Sequence, residues 1–229
     1  MNNGSLTMKW IDLNADIGEG FEYDFELLDV VSSVNICSGF HAGSPKLCQE
    51  LLTEARTRGI RAGLHVGFPD PGSMGRRQLA EGYPETWISS VAVQIMSAGS
   101  FAYIKPHGAL YHWLAIDTVS TRTVWDALEE MEKPLMGMEG TEHEFQARRR
   151  GLRLIREGFA ERGYDQFGGL LPRGTVGAEL TDLAEIKSQA LRLAPAVDSI
   201  CIHGDRPDAL NVARAVRTAL EGSGIGVAA

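Results

Sequence analysis

Short apolar or β-branched segments recur along the chain, and each is followed by a turn and a longer segment with helical periodicity. This alternation predicts strands at residues 9–15, 31–37, 61–66, 101–105, 135–138, 152–157 and 199–203. Helices are predicted at residues 44–58, 84–98, 118–131, 141–150, 178–193 and 207–220. Strands that alternate with helices of this length are typical of βα units and a parallel sheet.

Capping residues support the predicted helices locally. Ser44 and Pro45 suit the N-cap and the first helical position, and Gly59 suits a C-terminal stop. Asp182 and the segment 205–207 offer further helix starts. Neither a low-complexity linker nor a fixed-period repeat divides the sequence, so we expect residues 1–229 to form one domain.

Polar side chains gather where the predicted strands end. In a closed (β/α) barrel all carboxyl ends of the strands converge on one mouth, whereas an open sheet collects ligands at a switch point. Six strands contribute such residues, which favours a seven-unit, TIM-like barrel. The residues are Asp12, Asn14, Asp16, Asn35, His41, His65, Lys105, His107, Glu157, His203 and Asp205.

Composition and charge exclude several classes of protein. The 229 residues carry 22 Lys and Arg against 30 Asp and Glu, so the basic stripe of a nucleic-acid-binding protein is not expected. No apolar run is long enough to span a bilayer, and residues 1–9 lack the apolar region of a secretory signal, so we expect a cytoplasmic protein.

Three cysteines without CxxC spacing predict reduced thiols. P-loop, G-x-S-x-G and H-E-x-x-H motifs are absent from the sequence.

The first predicted strand carries the densest polar pattern. Asp12, Asn14 and Asp16 alternate with apolar residues, which places all three on one face of the strand. Glu19 follows between two glycines, a continuation that suits a barrel mouth better than a surface strand. We interpret these four residues as functional.

Later strand ends carry histidine and lysine. His41 lies in a glycine-flanked turn before a capped helix, whose free N–H groups suit an anion. His65 precedes the Arg76 and Arg77 pair, whose planar guanidinium groups also suit anions. Lys105 ends an apolar strand, where burial is costly unless the ammonium is paired. These segments therefore indicate a site at the barrel mouth.

Together these motifs resemble the LamB/YcsF family, the A subunit of prokaryotic 5-oxoprolinase involved in lactam utilization. The matching segments run in family order and cover nearly the whole chain, at residues 12–20, 35, 39–43, 65–70, 75–77, 105–111, 157–164, 172–178 and 202–205. The resemblance implies a TIM-like (β/α)7 barrel akin to the glycoside hydrolase/deacetylase fold. It also implies ATP-dependent hydrolysis of 5-oxo-L-proline to L-glutamate together with B and C subunits, with ATP and Mg entering through the complex.

The resemblance and the strand-end positions together suggest roles for individual residues. The catalytic set is expected to comprise Asp16 or Glu19 as general base, His107 and His203 as proton-transfer partners, Lys105 stabilising negative charge, and Asp205. Substrate binding is expected of Asn14, Asn35, His41, Arg77, Tyr111, Glu157 and Arg173. A divalent metal such as Zn or Mn is the alternative use of Asp12, His41 and His65, with Asp205 as a further candidate ligand.

Two alternative functions remain open from the sequence. One is a metal-dependent amidohydrolase or deacetylase that acts on another lactam or an N-acyl substrate. The other is a non-catalytic partner subunit. Five ionisable groups at strand ends argue against this second alternative, because packing does not require them. The sequence also leaves self-association into a homo-oligomer open.

Overall fold

Seven parallel strands close into a barrel in the computed structural model, which describes residues 9–79, 82–116 and 119–229. The strands are β1 (Lys9–Ile17), β2 (Ser33–Cys37), β3 (Arg61–Val66), β4 (Tyr103–Pro106), β5 (Leu135–Gly137), β6 (Leu154–Phe159) and β7 (Ser199–His203). Neighbouring strands pair in order from β2 to β7, and β1 pairs with both β7 and β2, which closes the sheet. The predicted TIM-like barrel is therefore confirmed.

Helices surround the barrel. The N-terminal cap of the helix at Pro45–Thr57 is as predicted, because the Ser44 side chain accepts a hydrogen bond from the Leu47 N–H. Short 3₁₀ helices occur at Glu26–Asp29, Pro71–Ser73 and Ala98–Ser100. The α-helices are α1 (Pro45–Thr57), α2 (Glu85–Met96), α3 (Gly108–Ile116), α4 (Arg122–Met131), α5 (Glu142–Arg149), α6 (Leu183–Leu193) and α7 (Ala209–Gly222).

Two elements escaped the sequence prediction. Helix α3 directly follows β4 and buries residues around most of its circumference, so it lacks the amphipathic period that reveals a surface helix. Strand β8 (Ile225–Val227) is short and lies among glycines, and it pairs with the first residues of β1. Both elements depend on tertiary packing rather than on a local pattern.

Several predicted boundaries are also wrong. Strand β6 extends to Phe159, so Glu157 lies within the strand rather than at its end. Helix α6 begins at Leu183 instead of residue 178, because the Asp182 side chain caps it by accepting from two backbone N–H groups. The third predicted helix starts at residue 118, which lies outside the described residues, and the corresponding helix α4 begins at Arg122.

The barrel interior is unusually polar. Alternation along β1 sends Leu13 and Ala15 outward into the apolar core against the helices. The intervening Asp12, Asn14 and Asp16 are buried on the opposite face. Side chains of successive strands therefore fill the barrel in layers, and the layer at the carboxyl ends of the strands forms the floor of the site.

Gly63 makes room for an interior side chain. A Cβ atom at this position would overlap the Tyr103 ring, whose hydroxyl donates to Asn35 Oδ1 over 2.7 Å. We expect Gly63→Ala to lower the free energy of unfolding by about 1–3 kcal/mol, as overpacking of a filled core does. Gly99→Ala is the matched control because no atom lies near a Cβ there. Equal denaturation midpoints for the two variants would contradict this packing.

No helix within the described residues is long and apolar enough to cross a membrane.

Candidate active site

A small cleft, with an accessible volume of about 40 Å³, opens at the carboxyl ends of the barrel strands. Its floor includes Asp16, His65 and Lys105, which come from β1, β3 and β4. The last residues of strands, helix α3 and the loops that follow the strands supply the walls. The wall residues include His107, Tyr111, His112, Phe159, Arg76, Arg162, Arg173 and His203.

The Lys105 ammonium lies between two carboxylates. Its Nζ is 2.7 Å from Asp16 Oδ1 and 2.7 Å from Glu157 Oε1, and it donates to Cys201 Sγ over 3.1 Å. Asp16 also accepts from the Asn35 amide over 2.8 Å. Because Lys105 is only 1% exposed, these partners are what make its burial tolerable.

The surroundings shift the pKa values of Asp16 and Glu157 in opposite directions. Burial raises the pKa of Asp16, but Lys105 and His65 outweigh burial and hold that pKa below its usual range. Burial raises the pKa of Glu157, and Lys105 offsets this only in part. Burial lowers the pKa of Lys105, yet Asp16 and its neighbours hold it well above the usual value. Asp16 is therefore the more persistently ionised carboxylate.

Three imidazoles and one carboxylate form a second cluster beside the cleft. Glu19 Oε1 lies 3.5 Å from His41 Nε2, 4.0 Å from His65 Nε2 and 3.4 Å from His107 Nδ1. All four residues are buried, and one donor atom from each lies within 4.8 Å of the others. Glu19 Oε1 and His41 Nδ1 have no hydrogen-bond partner among the described residues.

Backbone carbonyls fix the tautomers of two of these rings. His65 Nδ1 contacts Lys105 O at 3.0 Å, and His107 Nε2 contacts Met74 O at 2.7 Å. A carbonyl oxygen only accepts, so both of these nitrogens carry the hydrogen. The remaining nitrogens, His65 Nε2 and His107 Nδ1, therefore face each other as lone pairs in the neutral rings, 2.9 Å apart. Such an arrangement next to a carboxylate attracts a cation.

The donor set fits a divalent metal. Neutral imidazole and carboxylate suit Zn or Mn, and ligands of a tetrahedral Zn site are roughly 3.4 Å apart, from bond lengths of about 2.0–2.1 Å. The Glu19 distances to His41 and His107 match this spacing. Burial lowers the pKa of His65 to about 3 and that of His107 well below its usual value, so both rings are neutral at physiological pH.

His203 and Glu161 form a dyad at another wall of the cleft. Glu161 Oε1 accepts from His203 Nδ1 over 2.7 Å and from the His203 backbone N–H over 2.6 Å. The Phe159 ring stacks on the imidazole with a centroid distance of 5.5 Å. Burial raises the pKa of Glu161, but His203 reverses this and lowers the pKa overall. The carboxylate thus holds His203 in one tautomer and leaves Nε2 free for proton transfer.

The sequence profile of the LamB/YcsF family matches residues 11–229. The chain belongs to the LamB/YcsF family. Among its relatives, the A subunit of 5-oxoprolinase from Thermus thermophilus is 38% identical, with 96% of this chain and 99% of the relative covered. The corresponding A subunit of 5-oxoprolinase from Mycobacterium avium is 36% identical, with 97% and 99% covered.

Solved structures agree with the LamB/YcsF assignment. The crystal structure of a lactam utilization protein from Thermus thermophilus superposes with a TM-score of 0.83 at 34% identity, covering 96% of this chain and 99% of that one. A family 4 carbohydrate esterase from Streptomyces lividans gives a TM-score of 0.55 at 11% identity, covering 96% and 91%. At that identity the esterase shows only a shared fold.

In this LamB/YcsF chain, the structure brings most residues of the predicted catalytic set to the mouth. Asp205 lies in an adjoining cleft, where it pairs with Arg76 Nη2 at 2.6 Å. The predicted substrate ligands Tyr111 and Arg173 line the main cleft, and the Tyr111 hydroxyl is buried without a partner among the described residues. The residues of the predicted set that line the main cleft are Asp16, Lys105, His107 and His203.

Other predicted ligands lie elsewhere. Arg77 turns away from the cleft and pairs with Asp70 Oδ2 at 3.0 Å, and its neighbour Arg76 takes the cleft position. Asn14 and Asn35 lie below Asp16 in the barrel, where Asn35 Nδ2 donates to Asn14 Oδ1 over 2.6 Å. Both residues are fully buried and support the floor rather than line it.

Asp12 does not join His41 and His65. It accepts from Ser32 over 2.6 Å and Ser33 over 2.7 Å, and it also bonds to the Ser199 hydroxyl. These serines lie near the start of β2 and β7, two layers below the mouth. Glu19 takes the carboxylate position in the cluster with the three histidines instead.

Sequence reasoning missed Arg162 and His112 in the main cleft and Glu161 in the adjoining one. Glu161 and Arg162 follow β6 directly, so a correct end for that strand would have drawn attention to them. His112 lies on α3, a helix that the sequence did not reveal, and it lines the cleft. Burial lowers the pKa of His112 to about 4, so this ring adds no positive charge near neutral pH.

Proposed function

We propose that this chain opens the ring of 5-oxo-L-proline to give L-glutamate in an ATP-dependent hydrolysis, as an A subunit that works with B and C subunits. Family membership and relatives named as the A subunit of 5-oxoprolinase support the reaction. The observation that carries the proposal is the buried ammonium of Lys105, held between Asp16 and Glu157 on the cleft floor. No packing need explains this arrangement at a strand end.

The chemistry explains why several groups must converge. A five-membered lactam is an unreactive amide, and phosphorylation of its oxygen by ATP, with Mg, makes the ring carbon more electrophilic. Water then adds at that carbon, and the C–N bond breaks as the ring nitrogen takes a proton, which leaves γ-glutamyl phosphate. A second water hydrolyses this acyl phosphate to glutamate and inorganic phosphate. Negative charge that develops on oxygen needs a nearby cation, and the leaving nitrogen needs a proton donor.

We assign these tasks from the geometry. Lys105 stabilises the developing negative charge, because it is the buried ammonium that lines the cleft. His203, oriented by Glu161, moves protons through Nε2. Asp16 stays ionised, so its task is to hold Lys105 and polarise water rather than to act as a strong base. Arg76 and Arg173 line the same cleft and suit anionic parts of the reactants.

Glutamate release from 5-oxo-L-proline tests the proposal. The purified chain is assayed with and without ATP and Mg, and with and without B and C subunits. We expect glutamate only when ATP and both partners are present. Release without ATP, or no release under any of these conditions, would contradict the proposed reaction.

A second candidate is metal-dependent hydrolysis of another lactam or of an N-acyl substrate. The cluster of Glu19, His41, His65 and His107 favours it, because these residues fit a divalent ion. When bound there, Zn or Mn supplies a Lewis acid and lowers the pKa of a water ligand. The chain's own residues would hold the ion, while backbone carbonyls of Lys105 and Met74 orient two of the imidazoles.

Removal of the Glu19 carboxylate tests this metal site without an activity assay. We expect Glu19→Gln to weaken Zn affinity by about 10- to 100-fold or more, since a charged ligand is lost. Calorimetric Zn titration of the full chain measures the change, and the exposed Glu22→Gln serves as the matched control. Equal affinity in the wild type and Glu19→Gln would rule out this cluster as the metal site.

A further inference from the structure

Arg162 is a buried guanidinium that lines the cleft without a carboxylate partner. It is 3% exposed, and it follows β6 in the wall of both the main and the adjoining cleft. The structure shows no ion pair for it among the described residues. By contrast, Arg76 pairs with Asp205, Arg173 with Glu179 and Arg206 with Asp208.

Backbone carbonyls hold the Arg162 side chain in place. Its Nε donates to Ala178 O over 3.1 Å, and its Nη2 donates to Leu171 O over 2.7 Å. A guanidinium has five N–H groups, and the described residues offer acceptors to only these two. The side chain is therefore fixed in orientation while part of its donor edge remains unused.

The segment that carries these carbonyls is itself tightly packed. Gly163 N donates to Ala178 O and Leu171 N donates to Gly163 O, each over 2.9 Å. A Cβ at Gly163 would overlap Gly177 O, so the two sides of the segment lie in direct backbone contact. The backbone around Arg162 is therefore held in one conformation before any ligand binds.

Positive charge accumulates at this wall. Burial lowers the pKa of Arg162, and the nearby Arg173 lowers it further. Glu179 and Glu161 offset this only in part. Glu179 is paired with Arg173 and Glu161 with His203, so within the described residues neither carboxylate forms an ion pair with Arg162. Burial of an unpaired charge is costly, and an anionic ligand would remove that cost.

The Tyr111 hydroxyl is a second polar group of the cleft that lacks a partner among the described residues. This hydroxyl is buried. It lines the same cleft as Arg162 and the Lys105 floor. A small ligand with both an anionic group and neutral acceptors would satisfy both side chains at once.

We propose that Arg162 binds the carboxylate of the substrate and so selects lactams that carry a carboxylate on the ring. A planar carboxylate matches the fork of a guanidinium, and a charge-assisted hydrogen bond is stronger than a neutral one. This inference rests on the proposed function for the identity of the ligand. It adds a specificity determinant that is distinct from the groups on the cleft floor.

Binding measurements on the full chain test this role. Calorimetry compares 5-oxo-L-proline with its carboxamide, which keeps the ring and loses the charge. We expect the wild type to bind the acid about 10- to 100-fold more tightly than the carboxamide. Arg162→Gln, which retains a donor for one carbonyl, should abolish that preference, and Arg162→Lys should restore it in part.

Arg206→Gln is the matched control, because Arg206 lines only the adjoining cleft and already has a carboxylate partner. It should keep the preference for the acid. A thermal melt of each variant separates loss of binding from loss of fold. The ratio of wild-type affinities for the acid and the carboxamide tests the proposal without any variant. An equal affinity of the wild type for the two ligands would overturn the proposal, as would a preference that survives in Arg162→Gln.

Inorganic phosphate and acetate separate this inference from the proposed function. If the wild type binds acetate but not 5-oxo-L-proline, and Arg162→Gln loses acetate, the carboxylate site stands and the lactam substrate is wrong. If phosphate alone binds in an Arg162-dependent manner, Arg162 serves a phosphoryl group and the carboxylate assignment is wrong. Glutamate release by the complex with unchanged KM in Arg162→Gln would leave the proposed function intact and overturn the role of Arg162.

Discussion

Replacing Lys105 by methionine is expected to lower kcat/KM by at least about 10³-fold, because the cleft loses the cation that stabilises developing negative charge. The same change should lower the free energy of unfolding by about 3–5 kcal/mol, since Asp16 and Glu157 then remain buried beside each other without a counter-charge. Steady-state kinetics of the reconstituted complex and urea denaturation of the chain measure the two effects.

Two comparisons isolate the cause of the Lys105 effect. Lys46→Met removes an exposed ammonium and should change neither kcat/KM nor the free energy of unfolding. Adding Glu157→Gln to Lys105→Met removes one of the two stranded carboxylates, so stability should recover in part while activity stays low. Wild-type activity in the Lys105→Met variant would refute the assignment of this ammonium to catalysis.

Replacing Glu161 by glutamine is expected to lower kcat by about 10²- to 10⁴-fold, because an amide no longer fixes the tautomer of His203 or stabilises its imidazolium form. Glu161 acts through His203, so it is a positioning residue. The acidic limb of the kcat/KM profile should therefore move to lower pH in the variant, which a purely structural role would not produce. A pH series from about 5 to 9 measures this shift.

Glu179→Gln provides the comparison for Glu161, because it removes a carboxylate that pairs with Arg173 on the cleft wall without touching His203. It should leave the acidic limb unmoved. His203→Gln should lose as much activity as Glu161→Gln, and the double variant little more, since the two residues work as one unit. Additive losses would show that Glu161 and His203 act independently.

The barrel itself was predictable because its signal is local and repeated. Alternating strands and helices, with polar residues at strand ends, indicate parallel βα units whichever residues fill the core. Helix α3 and strand β8 escaped because the first is buried around most of its circumference and the second is only three residues long. Neither carries a periodic pattern that the sequence alone reveals.

Some members of the site were predictable, but its geometry was not. Strand ends identified Asp16, Lys105 and His203, since parallel strands bring their carboxyl ends together. The choice between Arg76 and Arg77 depends on the direction of neighbouring side chains in a turn, which sequence does not encode locally. Glu19, rather than the predicted Asp12, joins the three histidines. This outcome depends on the layers of side chains inside the barrel, because Asp12 lies two layers below the mouth on β1.

If ring opening takes place in the mouth of this barrel, its rate must depend on the charge of Asp16. A single turnover of labelled 5-oxo-L-proline measures this dependence, with ATP, B and C subunits and either the wild-type chain or Asp16→Asn. Asparagine keeps an acceptor for Lys105 but removes the charge, and equal thermal melts verify the fold. We expect glutamate formation by the wild type and a rate at least about 10²-fold lower with Asp16→Asn. Equal rates would place the chemistry outside this barrel.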